Sequence, residues 1–334
     1  MKWKFKTTDH GSNTTPAVNG NVVYFGQYGT LYAVDADTGT ETWNYEIDNQ
    51  ATSSPAIAGD TVYVGGWDEL YAIRTDLGVR RWVFRSEAGA DETYWLDPVV
   101  DGGTVYFGGR QYFHAVDGET GRQKWRLELT NVARSVPTIN NGTVYFGTYS
   151  ADGRGDTYVY ALDSQTGREK WKLKTAGGGV WGAVAVTEGV VYAGTWNQGL
   201  VALDARNGQV IWHYNPGRGV ITSPAVAYGT VYITDKGTLY AIDAQTGKER
   251  WQIQAGGFSS DPVIADGIVY FTTTVTSLTV LIGGKPSGYL HAVDAQTGQE
   301  LWTFSVEGET MEAPAIANGT VYFGSGEGYL YAVK

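Results

Sequence analysis

With 334 residues, 46 glycines, 13% aromatic and only 18% charged residues, the chain has the make-up of many short strands joined by tight turns, far from a coiled coil or a disordered tail. A formal net charge of −11 with no basic stripe excludes a nucleic-acid surface, which needs clustered Lys and Arg to neutralise phosphates. The absence of cysteine excludes disulfides, thiolate chemistry, Cys-ligated zinc and lipid attachment through a cysteine.

No apolar run approaches membrane-spanning length, and the amino terminus lacks the apolar core of a signal peptide. The expectation is a monomer without a transmembrane segment, either cytosolic or starting after a removed leader.

The first predicted element is an alternating strand at residues 2–7, containing Trp3. A short strand then ends at Asn19-Gly20, the Val-Tyr strand of Tyr24 follows, and a second turn leads to Leu31-Tyr32-Ala33-Val34-Asp35. A third turn opens the alternating strand Thr42-Trp43-Asn44-Tyr45-Glu46-Ile47. The same order recurs down the chain, with the tyrosine at Tyr63, Tyr106, Tyr145, Tyr192, Tyr232, Tyr270 and Tyr322, making eight copies with Tyr24. Each follows a two-residue hairpin signal, from Asn19-Gly20 and Gly59-Asp60 to Asn318-Gly319, of the kind that tolerates positive φ. Four short strands per unit, with a period of roughly forty residues, are the signature of a propeller blade.

The fourth strand carries a tryptophan at Trp43, Trp82, Trp125, Trp171, Trp212, Trp251 and Trp302, seven for eight blades. Trp3 is the missing one, so residues 2–7 are predicted to pair with the strand around Leu330 as the outer strand of blade 8. The predicted fold is all-β: a single domain over 1–334, an eight-bladed β-propeller of four-stranded antiparallel blades, its ring closed by the N-terminal strand.

Within the blades, Ala-x-Asp-x-x-x-Gly-x-x-x-Trp repeats as Ala33/Asp35/Gly39/Trp43, with Ala, Gly and Trp again at Ala72/Gly78/Trp82, Ala115/Gly121/Trp125, Ala161/Gly167/Trp171, Ala202/Gly208/Trp212, Ala241/Gly247/Trp251 and Ala292/Gly298/Trp302. Blade 2 has Arg74 in place of the Asp. This resembles the tryptophan-docking motif of the PQQ-like (quinoprotein) repeat propellers, over essentially the whole chain. A flat indole wedges between neighbouring blades only where the facing residues are small. One branch of that family implies a PQQ-dependent alcohol dehydrogenase, with long chamber loops, a vicinal cysteine disulfide, calcium held by Glu, Asn and Asp, and an Asp base. Here the connections are short and cysteine is absent. The other branch, the BamB-like binding propellers, implies a protein-binding scaffold in an extracytoplasmic setting.

Aligning the blades on Pro16, Pro55, Pro98, Pro137, Ala183, Pro224, Pro262 and Pro314 places unusual side chains at a funnel mouth: Tyr94, Trp95, Asp97, Arg134, Trp181, Phe258, Asp261, Met311 and Glu312. Trp67 and Trp196 lie in second-to-third-strand loops on the same face. Aromatics with a few charges there suit a flat ligand or a peptide, although packing of Trp95 and Trp181 across the mouth is the plainer reading. Asp97 and Arg134 are expected to form an ion pair. Asp261 and Glu312, from adjacent blades, are the best carboxylate pair for a hard cation, but two carboxylates make a thin donor set. His114 and His291 replace a repeat tyrosine, so no catalytic constellation forms around them.

Two blades are longer. Residues 149–157 contain Arg154-Gly155-Asp156, and residues 272–288 carry the apolar Val275, Leu278, Val280, Leu281 and Ile282, which are expected to lengthen a hairpin and pack it over the rim. Asn13, Asn141 and Asn318 begin glycosylation sequons. The functional expectation is a non-enzymatic scaffold taking a protein segment or small molecule at the funnel mouth, with no cofactor. The alternatives are a PQQ-dependent oxidoreductase with calcium near Asp261 and Glu312, and an excised or engineered propeller with no evolved activity.

Overall fold

The computed structural model describes residues 1–8, 11, 13–47, 52–67, 69–86, 97–150, 155–175, 177–217, 220, 222–275 and 286–334. Among them every regular element is a β-strand, and the strands form eight antiparallel sheets of four strands, one of them with a fifth. The fold is an eight-bladed β-propeller. Two compact units divide the chain: Ala56–Pro224, which carries blades 2 to 5, and Met1–Pro55 with Ala225–Lys334, which carries blades 6, 7, 8 and 1.

Blade 4 shows the plan, with strands Thr138–Asn140, Thr143–Gly147, Thr157–Asp163 and Glu169–Thr175. The second and third strands are covered on both faces, so they read as near-continuous apolar runs. The fourth strand alternates between covered and exposed positions, which is why its sequence alternates. First and second strands are joined by two residues; Asn141 and Gly142, for example, have φ of 48° and 67°, the double positive φ of a type I′ turn. In blade 1 the turn is Gly20-Asn21 rather than Asn19-Gly20, because Asn19 still pairs with Val22.

In the unit Ala56–Pro224, the indoles of blades 2, 3 and 4 dock forward onto the next blade. Trp82 donates Nε1–H to the Gly118 carbonyl (3.0 Å), Trp125 to Ser164 (3.0 Å) and Trp171 to Ala205 (2.9 Å). A Cβ on Gly121, Gly167 or Gly208 would come within 2.6–2.7 Å of the corresponding ring, so only glycine fits beneath the indole. The motif's alanine plays another part than the one expected. It is the cross-strand partner of the tryptophan within the same blade, as Ala115 is of Trp125, beside a β-bulge. The repeat tyrosine reinforces the joint, because Tyr63, Tyr106 and Tyr145 donate to the same three carbonyls.

The motif's aspartate closes its own turn. In this unit Asp117 and Asp163 accept from the hydroxyl and N–H of Thr120 and Thr166, and these bonds hold both carboxyls below the usual range. Arg74 in blade 2 reverses the charge and clamps Asp76 at 2.6 Å instead.

In the other unit the same joint links Trp251 to the Gln296 carbonyl over Gly298, and Trp3 to the Ala36 carbonyl over Gly39. The strand Trp3–Lys6 completes blade 8 as predicted, with Trp3 opposite Ala332. Blade 7 departs from four strands: Phe258–Ser259 adds a fifth, pairing with Thr274 and Thr273. Its hairpin is longer as expected, with strands Ile268–Val275 and Ser287–Asp294. Leu278, Val280, Leu281 and Ile282 lie outside the described residues.

Candidate functional site

The expected mouth residues of blades 4 and 5 come together within the unit Ala56–Pro224. Arg134 and Trp181 each stand four residues before a first strand, Thr138–Asn140 and Ala185–Thr187. That spacing corrects the alignment of blade 5: Val184, not Ala183, takes the place of the proline. Equivalent positions of adjacent blades therefore meet. The Arg134 guanidinium lies 3.7 Å above the Trp181 ring centroid, within the range of a strong cation–π contact.

Two more aromatics surround Trp181. Tyr149 meets it edge-on, with centroids 4.6 Å apart at 72°, and Trp196 lies 6.4 Å away at 33°. Trp196 keeps 45% of its surface exposed. Tyr149 and Trp196 occupy the same place in blades 4 and 5, two residues past the glycines Gly147 and Gly194. Trp67 takes it in blade 2, also 45% exposed.

Backbone bonds fix the loops that carry this group. Tyr149 donates its N–H to the Val132 carbonyl (2.9 Å), Val180 to Thr148 (3.0 Å) and Trp196 to Gly179 (3.0 Å). Gly179 is required there, since it has φ of 87° and its Cβ would sit 2.2 Å from the Thr148 carbonyl oxygen. Tyr149 was missed in the sequence because it opens an insertion read as a polar loop. Aligning the turns on the glycine after Val-Tyr would have found it.

Asp97 is half-buried just before Val99–Asp101, and Arg134 lies over the face of Trp181. Tyr94 and Trp95 lie outside the described residues. Asp156 of the adhesion-like tripeptide pairs with Lys174 at 2.6 Å, while its carbonyl accepts from Asn131. Arg154 is outside the described residues.

In the other unit, Phe258 and Met311 are exposed, as is Tyr28, at 59%, in the blade 1 position equivalent to Trp67. Asp261 and Glu312 are half-buried and are held through their carbonyls, which accept from Ser260 Oγ and Thr272 Oγ1. They enter from different register positions, one and two residues ahead of Pro262 and Pro314. Among the described residues no group of three or more His, Asp or Glu side chains is placed to hold a metal ion. The calcium that accompanies PQQ in the dehydrogenase branch draws on several protein oxygens. This donor set does not fit it. His291 stacks on Phe271 at 4.8 Å and His114 on Phe107 at 5.1 Å, so both are packed repeat positions.

A propeller whose blades are joined by an indole over glycine belongs to the PQQ-like class. More narrowly, the chain belongs to the family described as outer membrane protein assembly factor BamB, whose model matches residues 2–94, 85–219, 215–282 and 272–334. The structure of BamB from Moraxella catarrhalis aligns with a TM-score of 0.77 at 17% identity, covering 97% of this chain and 98% of that one. Serine/threonine-protein kinase AfsK of Streptomyces griseus is 28% identical over 183 residues, 41% of this chain and 23% of the kinase. Quinohemoprotein alcohol dehydrogenase ADH-IIG of Pseudomonas putida is 33% identical over 151 residues, 38% of this chain and 19% of the enzyme. The matched stretches thus span less than a quarter of these two curated relatives. Among the described residues no helix is long and apolar enough to cross a membrane.

Proposed function

We propose that the chain is a non-enzymatic binding scaffold that takes a segment of a partner protein on the aromatic face of blades 4 and 5, in an extracytoplasmic setting. The observation that carries this reading is Trp181, stacked by Arg134, met edge-on by Tyr149 and flanked by the half-open Trp196. Trp, Tyr and Arg are the residues that anchor protein interfaces, and rigid side chains on hydrogen-bonded loops lose little freedom on binding. Membership of the BamB family supports the scaffold role and the extracytoplasmic placement.

The test is selection of a random peptide display library on the full chain, followed by titration of enriched synthetic peptides using tryptophan fluorescence. A consensus that binds saturably, and that Trp181→Ala with Trp196→Ala abolishes while folding is kept, supports the proposal. Failure to enrich any sequence, or binding indifferent to both substitutions, sinks it. Titration with PQQ, with and without calcium, is the counter-test. Saturable binding with a cation-dependent rise in Tm would replace the scaffold by the oxidoreductase.

A further inference from the structure

A cavity of about 480 Å³ lies where the loop leaving blade 3 meets the third and fourth strands of blade 4, within the unit Ala56–Pro224. Thr130 and Asn131 line it from the loop, and Asp156, Tyr158, Tyr160 and Lys172 line it from blade 4. Its size is that of a small-molecule site. Neither Arg134 nor Trp181 lines it, so it is distinct from the aromatic face.

The lining includes a buried phenol with nothing to bond. Tyr160 is 6% exposed and its ring stacks on Phe146 at 5.1 Å, yet its hydroxyl has no hydrogen-bond partner among the described residues. Burial pushes the phenol's pKa up, so it stays protonated and offers a donor to the cavity.

Other blades show what this hydroxyl ordinarily does. The tyrosine just before the motif's alanine is Tyr32 in blade 1 and Tyr71 in blade 2, and these bond Thr8 and Glu69. Blade 1 is the telling case. Thr8 stands five residues past the docking Trp3, as Thr130 stands five past Trp125. The hydroxyls of Thr8 and Tyr32 meet at 3.0 Å. Those of Thr130 and Tyr160 make no such bond, and both residues line the cavity. Blade 4 has opened a joint that blade 1 keeps closed.

The rim is held in place beforehand, which spares ordering on binding. Asn131 Nδ2 donates to the Asp156 carbonyl (2.8 Å), and the Tyr158 hydroxyl donates to the Asp156 carboxylate (3.2 Å). The charges are matched too, Lys172 with Glu169 at 3.0 Å and Asp156 with Lys174 at 2.6 Å. An entering ion would find each opposite charge already paired. What is left for a ligand is the two hydroxyls and Asn131 Oδ1, which suit groups that donate and accept at once. Beside them the rings of Tyr158 and Tyr160, 5.6 Å apart at 58°, form an apolar corner for C–H surface.

We infer that this cavity binds a neutral sugar. One sugar hydroxyl accepts a hydrogen bond from Tyr160 and donates one to Thr130, bridging the pair that blade 1 joins directly.

Saturation-transfer NMR of the full chain with glucose, galactose, mannose, maltose and cellobiose tests this, with sodium acetate as an anionic probe. At least one sugar should bind saturably. Tyr160→Phe should weaken that binding about 3–10-fold and melt like the parent, because the deleted hydroxyl has no bond in the free protein. Tyr32→Phe, which breaks only the closed joint of blade 1, should leave the affinity unchanged. Absence of saturable binding by every sugar at tens of millimolar, an affinity that Tyr160→Phe does not alter, or an equal loss in Tyr32→Phe overturns the inference. So does acetate binding more tightly than the sugars, which would assign the cavity to an anion.

Discussion

Placing alanine at Gly167 should cost far more than placing it at Gly59, although both glycines have positive φ, 69° and 58°. At Gly59 the new Cβ meets nothing within 4 Å, so the penalty is the backbone strain of an L-residue in that region, about 1–2 kcal/mol. At Gly167 the Cβ would stand 2.6 Å from Trp125 Cε3 and 2.7 Å from Cδ2, and both are rigid ring atoms. The indole must shift, adding overpacking of about 1–3 kcal/mol. Its 3.0 Å bond to the Ser164 carbonyl is strained or lost, adding about 0.5–1.5 kcal/mol. The total is about 2.5–6.5 kcal/mol against about 1–2 for the control. Denaturant midpoints of the two variants against the parent measure the difference. Equal shifts for Gly59→Ala and Gly167→Ala would refute the claim that the glycine exists to receive the indole.

Other consequences are as direct. Deleting residues 1–7 removes the outer strand of blade 8 and uncovers Leu330 and Ala332, now fully buried; the shortened chain should be markedly less stable and prone to associate, and size-exclusion chromatography showing an unchanged, equally heat-resistant monomer would contradict this. The turn aspartates Asp35, Asp117, Asp163 and Asp294, held low by their threonine hydroxyls, and Asp243, held low by Arg250 and Thr246, have folded pKa values below the ordinary 3.8. Their contribution is therefore complete above 3.8 and is lost as pH falls through the folded values. Thermal melts should be insensitive to these groups near neutrality and fall steeply in acid, and Asp117→Asn with Asp163→Asn should flatten the acid limb; an unaltered limb would dismiss the role. Expressed through a glycosylating secretory host, the folded chain should carry glycans at the exposed turn residues Asn141 and Asn318 but not at Asn13, which is 1% exposed. Peptide mapping that finds Asn13 occupied would mean that its buried amide is not part of the native state.

The repeat was legible because its residues answer local demands. Asn141-Gly142 needs positive φ, Gly167 needs the absence of a side chain, and Trp125 needs a flat receiving surface. Each demand leaves the same mark in every blade, including the displaced Trp3. The aromatic cluster was legible only in part. Arg134, Trp181 and Trp196 break the repeat and therefore stood out, but which of them meet depends on how the inlet loops bond to one another. One wrong alignment step, Ala183 for Val184, hid that Arg134 and Trp181 are equivalent. Tyr149 looked like part of an insertion. The burial of Asn13 and Gln27 left no trace, because a polar residue in a loop or at a strand end reads as solvated until its burial is known.

The forward docking of these indoles gives each unit a polarity along the chain. The receiving glycine belongs to one blade and the indole to its predecessor, so a lesion in a turn releases the strand behind it. Loosening Gly167 frees the edge Gln123–Glu128 of blade 3, while the outer strand of blade 4, anchored on Gly208, stays held. Amide exchange after such a lesion should accelerate upstream of the altered residue, so that damage runs toward the amino terminus within each unit.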